Sequence, residues 1–235
     1  MNDYILFLDT ETSDKPKYWN APTDEVDHWP YILQIAWTIC KKSGETVLTH
    51  DYYINPGDIK MSEESMRVHG ITLDFLKKNG IKREEVLQQL SDDLEKFNPL
   101  VVGHFLKFDI KMIEVGFNRA GIKQSFLHRP RFCTMFVTRS IFLGANSRLL
   151  RLNELYKSLF GAEFKNQHNA LYDALAAKDC FFELLKKGQI KEKEFIKQAK
   201  YFKEKHNSGL LKKVVMPSII LVIIIFVLYL LLVSI

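Results

Sequence analysis

Tyr4-Ile5-Leu6-Phe7-Leu8-Asp9-Thr10-Glu11-Thr12 decides how the rest of the chain is read. Tyr4 to Leu8 is a short run of aromatic and branched apolar residues, the composition of a strand buried on both faces. Two carboxylates follow, two residues apart. Side chains at i and i+2 of an extended chain point to the same side, so Asp9 and Glu11 leave the end of a buried strand together. Held about 4 Å apart, two such charges repel by roughly 4 kcal/mol at an effective dielectric near 20. No Lys or Arg lies between Met1 and Glu11 to offset them. Hard oxygen ligands in this arrangement suit Mg²⁺ or Mn²⁺. A strand end carrying two solvated acids is the plainer alternative.

The 235 residues, 47% of them apolar with a formal charge of +5, fit one globular domain with an appendage. Cys40, Cys133 and Cys180 are scattered and form no CxxC pair, which argues against a disulfide framework or a zinc site and for a reducing compartment. The N-terminus carries Asp3 and runs straight into a strand, unlike a signal peptide. The other end differs in kind. Val214 to Ile235 is 22 residues without a charge. As a helix it would measure about 33 Å, enough to cross a hydrocarbon layer of roughly 30 Å. The sequence predicts a tail-anchored protein whose folded body lies on one side of a membrane. Lys186 to Lys213 holds ten lysines against three glutamates, so the basic charge belongs to the segment before the span. That placement suits anionic lipid and a cytoplasmic flank; a basic nucleic-acid arm is compatible with it.

Between these ends the patterning alternates. Ser13 to Pro30 reads as a long loop containing Tyr18, Trp19 and Trp29. Tyr31–Cys40 and Thr46–Ile54 read as strands, and Ser62 and Thr72 as helix N-caps. Lys82–Phe97 carries a helical apolar stripe, Leu100–Gly103 is a short buried strand, and Phe108–Ala120 is a helix closed by Gly121. Arg131–Thr134 supplies a fifth strand, with helices near Met135–Leu143, Leu152–Phe160 and Asn169–Lys187. Three strands followed by alternating helix and strand predict an α/β domain with a mixed five-stranded sheet covered by helices.

Asp109 follows a buried strand and opens a helix, and strand ends are where open α/β sheets gather active groups. The helix dipole alone would also favour an acid there. His168 stands at a loop-to-helix junction, and Asp173 lies about one turn inside, among Ala174, Ala176 and Ala177. Asp-x-Glu on the first strand, Asp after a later one and His-x4-Asp near the end of the body resemble the DEDDh 3′→5′ exonuclease superfamily, most of all the DNA polymerase III epsilon and RNase T-type members. Ile32-Leu33-Gln34-Ile35, Met61 to Thr72 with its His69-Gly70-Ile71-Thr72, Cys133-Thr134 and Leu152-Asn153-Glu154-Leu155 extend the likeness in the same order. It covers about Asp3 to Lys187.

The resemblance implies an RNase H-like fold and two-metal hydrolysis giving nucleoside 5′-monophosphates. In it Asp9, Glu11 and Asp173 would hold one Mg²⁺, and Asp9 with Asp109 the second, with Mn²⁺ as a substitute. His168 would take a proton from the attacking water. Thr10, Thr12 and Phe105 would meet substrate. Many relatives carry Asn at position 105, so the apolar Phe105 puts a contact near Asp109 in question. Tyr18, Trp19 or Trp29 could stack on bases, or simply cover the domain edge. Arg129, Arg131, Arg139, Arg148 and Arg151 are the one basic concentration in the body, suited to phosphates or to plain solvation. The expectation is thus an exonuclease domain at 1–187, a basic juxtamembrane segment at 188–213 and a transmembrane helix at 214–235. Its partners would be single-stranded DNA or RNA 3′ ends and membrane lipid, with the body on the cytoplasmic side of a bacterial inner membrane. The alternative is a catalytically silent nucleic-acid-binding module tethered to the membrane.

Overall fold

A computed structural model describes residues 2–122, 129–141 and 148–203. The expected span at 214–235, residues 204–213 of the basic segment and the Arg139 side chain lie outside what is described. Six strands and seven α-helices are described: β1 (Tyr4–Thr12), β2 (Ile32–Lys41), β3 (Thr46–Asn55), α1 (Glu63–His69), α2 (Leu73–Asn79), β4 (Ile81–Lys82), α3 (Arg83–Phe97), β5 (Leu100–Gly103), α4 (Lys107–Ala120), β6 (Arg131–Cys133), α5 (Thr134–Ile141), α6 (Leu152–Phe160) and α7 (Ala170–Lys186). Ser62 and Thr72 cap α1 and α2 as the sequence predicts, accepting hydrogen bonds from Ser65 N (3.1 Å) and Phe75 N (3.2 Å).

The sheet order is β4-β3-β2-β1-β5-β6. β1, β2 and β3 are antiparallel neighbours, while β5 runs parallel to β1 and β6 parallel to β5. The sheet is mixed, as expected, but has six strands rather than five. The extra one, β4, pairs only Ile81 and Lys82 with Ile54 and Asn55. Two residues cannot display a period of two, so the sequence reads them as the lead-in to α3.

Alternation along β1 sorts its side chains onto two layers. Ile5 and Phe7 are fully buried in a core shared with Phe132 of β6 and with Phe181 and Leu184 of α7. Each such side chain contributes about 1.5–3 kcal/mol by leaving water. On the other face Trp37, paired with Leu8, reaches α3, where its indole N–H donates to the buried carboxylate of Asp93 at 2.9 Å. β1 is thereby held from both sides, and its carboxylate end inherits that rigidity.

The chain divides into compact units at 1–198 and 199–235. The first runs past Lys187, the expected boundary. Ile190 joins the core, and the Gln198 side chain brackets the backbone of the edge strand at Cys133, accepting from its N–H (2.7 Å) and donating to its carbonyl (3.2 Å). Of the second unit only 199–203 are described, and they are helical.

The 13–30 loop is folded rather than slack. A 3-10 turn forms at Val26–His28, and Lys17 N donates to His28 O at 2.9 Å. Arg119 of α4 staples the returning arm: its guanidinium donates to the carbonyls of Val26, Trp29 and Pro30, each at 2.7 Å, and lies 3.8 Å above the Tyr31 ring. Arg119→Met keeps the aliphatic bulk but loses all three bonds. We expect it to destabilise the protein by about 2 kcal/mol and to speed tryptic cutting after Lys17. Unchanged melting and cutting would mean the loop is held by its own packing.

Candidate active site

Four carboxylates from three elements converge at the end of β1. Asp9 and Glu11 come from the strand itself. Asp109 arrives on the first turn of α4, where its Oδ1 accepts the Thr10 hydroxyl at 2.8 Å. Asp173 arrives on the first turn of α7, with its Oδ2 accepting the His168 backbone N–H at 3.3 Å. Burial, then the charges of Asp109, Asp173 and Glu11, raise the Asp9 carboxyl well above its usual range. Burial lifts Glu11 to about 8, with Asp173 and Asp109 adding to it. Asp109 and Asp173 are lifted to about 7, chiefly by burial; the Thr10 hydroxyl works against the shift at the first and the His168 N–H at the second. All four shifts say that the charged forms are short of compensation.

His168 joins this group. One ligand atom each from Glu11, His168 and Asp173 lie within 4.8 Å of one another. Asp173 Oδ1 is buried with no hydrogen-bond partner among the described residues. An orphaned carboxylate oxygen beside three raised carboxyls fits a hard divalent cation by donor chemistry.

These positions fall inside a recognisable family. The family described as Exonuclease (RNase_T) matches residues 6–181. The chain belongs to this exonuclease family. Among curated proteins it is 28% identical over 133 residues to the PolC-type DNA polymerase III of Pediococcus pentosaceus, covering 57% of this chain and 9% of that protein. It is also 28% identical over 155 residues to the Bacillus cereus PolC-type enzyme, covering 66% of this chain and 10% of that one. The chain therefore spans about a tenth of the length of these relatives. Among solved structures, an E. coli exonuclease I–single-stranded DNA complex in its zinc-bound form superposes with a TM-score of 0.67 at 16% identity, over 84% of this chain and 42% of that one. A complex of the same enzyme with dA16 gives 0.65 at 16% identity, over 85% and 43%. These likenesses show the α/β, RNase H-like exonuclease fold that the resemblance implied.

Other expected contacts of this exonuclease domain fall differently. The Thr10 hydroxyl is committed to Asp109, and that of Thr12 donates to Asp14 O at 2.9 Å. Both side chains are buried and bonded within the protein. Trp29 is buried too, donating to Pro22 O at 3.0 Å beneath the Lys111 ammonium, and is no stacking surface. Arg131 is 7% exposed and faces Glu114 at 3.9 Å, which removes it from the expected phosphate contacts. Arg148 is paired with Glu154, and Arg129 with the Asn98 side chain. Phe105, Trp19 and Tyr18 are exposed.

Three supports were not assigned a role from sequence. Gln34, fully buried and opposite Glu11 across the β1–β2 ladder, accepts the Ala170 N–H at 3.2 Å and donates to Asp51 Oδ1 at 2.8 Å. An N–H on one side and an acceptor-only carboxylate on the other fix which way its amide faces. Gln34 thus ties β2, the neighbour of the strand bearing Glu11, to the first turn of the helix bearing Asp173. His104 is buried and held neutral, its pKa lowered by burial to about 4. It sits 2.9 Å from the Thr134 hydroxyl and donates from Nε2 to Leu150 O at 3.0 Å, bracing the turn before α4. His69 accepts the Ile71 N–H on Nδ1 at 3.0 Å, which leaves its proton on Nε2; burial, with His168 as a neighbour, lowers its pKa.

The raised carboxyls fix a sign. In the unfolded chain they titrate near 4, whereas in the folded, metal-free protein Glu11, Asp109 and Asp173 hold protons to about 7 or 8. The folded state binds more protons between those values, so stability falls as pH rises through that window and levels off above it. Thermal melting in chelator should show Tm declining from about pH 5 to pH 8, and Mg²⁺ should raise Tm more at pH 8 than at pH 5. A Tm that is flat in pH and indifferent to Mg²⁺ would contradict this site.

Proposed function

We propose that this exonuclease-family chain is a metal-dependent 3′→5′ exonuclease that releases nucleoside 5′-monophosphates from single strands, and that it is tethered to a membrane by its C-terminal segment. The observation that carries the catalytic part is the convergence of Asp9, Glu11, Asp109 and Asp173, all uncompensated, with His168 beside two of them. Asp9, Glu11 and Asp173 are suited to hold one divalent cation, and Asp9 with Asp109 a second; Mg²⁺ is the natural choice for an all-carboxylate set, with Mn²⁺ as substitute. Bound there, two cations would supply the positive charge that an in-line displacement at phosphorus needs on its attacking and leaving oxygens.

The chain's own residues do the rest. His168 is exposed on a left-handed backbone (φ 63°) just ahead of α7, where its ring meets the cleft and can accept a proton from water. Asp173 orients it by taking its backbone N–H. Thr10 keeps Asp109 turned inward. The single-stranded DNA in the exonuclease I complexes supports the substrate class. A silent binding module would have no use for four carboxylates whose repulsion weakens the fold.

The tether rests on sequence. The charge-free Val214 to Ile235 follows the lysine-rich Lys186 to Lys213, which favours a cytoplasmic flank at an anionic membrane, as in bacteria. Among the described residues no helix is long and apolar enough to cross a membrane, and 214–235 lies beyond them.

The test uses the full chain in detergent on 5′-labelled single-stranded DNA and RNA with Mg²⁺. A ladder shortening from the 3′ end is expected, abolished by chelator and by Asp9→Asn. His168→Ala should slow it by about 10²–10⁴-fold while leaving Mg²⁺ binding intact. The faster polymer names the substrate. Full turnover by Asp9→Asn would overturn the site assignment. Deleting 214–235 should move the protein from the membrane pellet to the supernatant with its activity kept; a truncated chain that still pellets with membranes would sink the tether.

A further inference from the structure

His168 occupies a left-handed turn. Its φ is +63°, a region few residues other than glycine enter, and Asn169 returns at once to an extended conformation (φ −126°, ψ 122°) before α7 begins. Relaxation of that one residue would swing the imidazole elsewhere, so the turn has to be held. The Asp173 carboxylate accepts the His168 N–H, but it also belongs to the cluster suited to a cation, which makes it a shared support. Further supports come from the sheet. Glu11 stands opposite Gln34 across β1 and β2, and Gln34 opposite Tyr53 across β2 and β3, which puts the three side chains in one row on one face. Each member of the row meets the start of α7. Glu11 shares the cleft with His168 and Asp173. Gln34 accepts the Ala170 N–H at 3.2 Å, its amide turned by Asp51. The Tyr53 hydroxyl accepts from Asn169 Nδ2 at 3.4 Å, while Asn169 Oδ1 caps the helix by accepting the Leu171 N–H. Asn169 and Ala170, which follow His168, are thus gripped from β3 and β2, and neither grip uses a carboxylate of the cluster.

We propose that Tyr53 and Gln34 are positioning residues for His168: they hold Asn169 and Ala170, and through them keep the imidazole at the cleft before any cation arrives. The inference rests on the exonuclease reading and deepens it, extending the catalytic arrangement from the acids to β2 and β3. A base that takes a proton from water works within a hydrogen bond's reach, and a small displacement of it is expensive in rate. The strands suit the task because they are rigid. Tyr53 is itself steadied by the Phe75 ring, edge-on at 4.8 Å and 83°. Support of the fold alone predicts a different result, because loss of the Tyr53 hydroxyl would then weaken the protein without singling out the step that uses His168.

The test is a cycle of variants in the full chain in detergent, on a 5′-labelled single strand with Mg²⁺. Tyr53→Phe removes the hydroxyl and keeps the ring; Gln34→Leu removes the amide and keeps the bulk. Tyr53→Phe should lower kcat about 5-fold and Gln34→Leu about 10-fold or more, the scale of a lost hydrogen bond. KM should stay within about twofold, since the strand is bound as before. On a His168→Ala background Tyr53→Phe should cost less than about twofold further, because the group it positions is gone. An equal loss on both backgrounds would overturn the proposal, as would a Tyr53→Phe that keeps full kcat. A second measurement needs no turnover. In chelator, the His168 ring signals in a proton–carbon NMR spectrum, assigned by their absence in His168→Ala, should shift or broaden in Tyr53→Phe while those of His104 stay in place. His168 signals unmoved by either variant would also overturn it. Cleavage by the wild-type chain with both readouts unmoved would fail the positioning role alone; a moved His168 signal in a chain that cleaves nothing would fail the exonuclease reading alone.

Discussion

Burial of four neighbouring carboxyls at the end of β1, with their mutual repulsion added to it, is the constraint around which this molecule is arranged. Four carboxyls are gathered where burial penalises their charge, and each acts on its neighbours. A fold has two ways to live with that: keep protons on the acids, or take up a cation. Near neutral pH the first is only partly available, since the raised values of three of them lie at about 7 or 8. The charged cluster therefore costs stability near and above neutral pH, and that cost is itself an argument that the arrangement is used.

Much of the surrounding structure keeps these acids from relaxing apart. β1 is clamped between Phe181 on one face and the Trp37–Asp93 contact on the other. Thr10 holds Asp109, Gln34 holds the start of α7, and Asn169 caps that helix by accepting the Leu171 N–H at 3.2 Å. His104 braces the turn into α4 from behind. Thr10, Gln34, Asn169 and His104 are polar, and Thr10, Gln34 and His104 are buried where an unmade bond is expensive. Geometry near the cleft is thereby set by short chains of satisfied hydrogen bonds, which fix direction in a way that apolar packing does not.

The parts of this account that were legible in the sequence are those carried by local pattern. The apolar run before Asp9, the caps at Ser62 and Thr72 and the helical stripe before Asn98 follow from period and residue type. The order of Asp9, Glu11, Asp109, His168 and Asp173 gave the family likeness, and the structure brings those residues to one place. What escaped was partnership in space. Gln34 meets Ala170 across 136 positions, and no spacing rule reaches that far. Trp29 and Trp19 look alike in the same loop, yet one turns into Lys111 and Pro22 and the other outward. Arg131 reads as a surface cation and is instead shut against Glu114. The two-residue β4 is too short to carry a period, and the C-terminal limit of the body at Gln198 depends on a side chain that finds the edge of β6.

The central claim is that the carboxylate cluster is a divalent-metal site whose protons and cations compete. Calorimetric titration of the full chain with Mg²⁺ at pH 7, in two buffers of different ionisation enthalpy, measures this directly. The account predicts Mg²⁺ binding accompanied by release of about one proton or more per chain, fading toward pH 9 and lost in Asp9→Asn. Binding with no proton release at pH 7, or no binding at all, would contradict it.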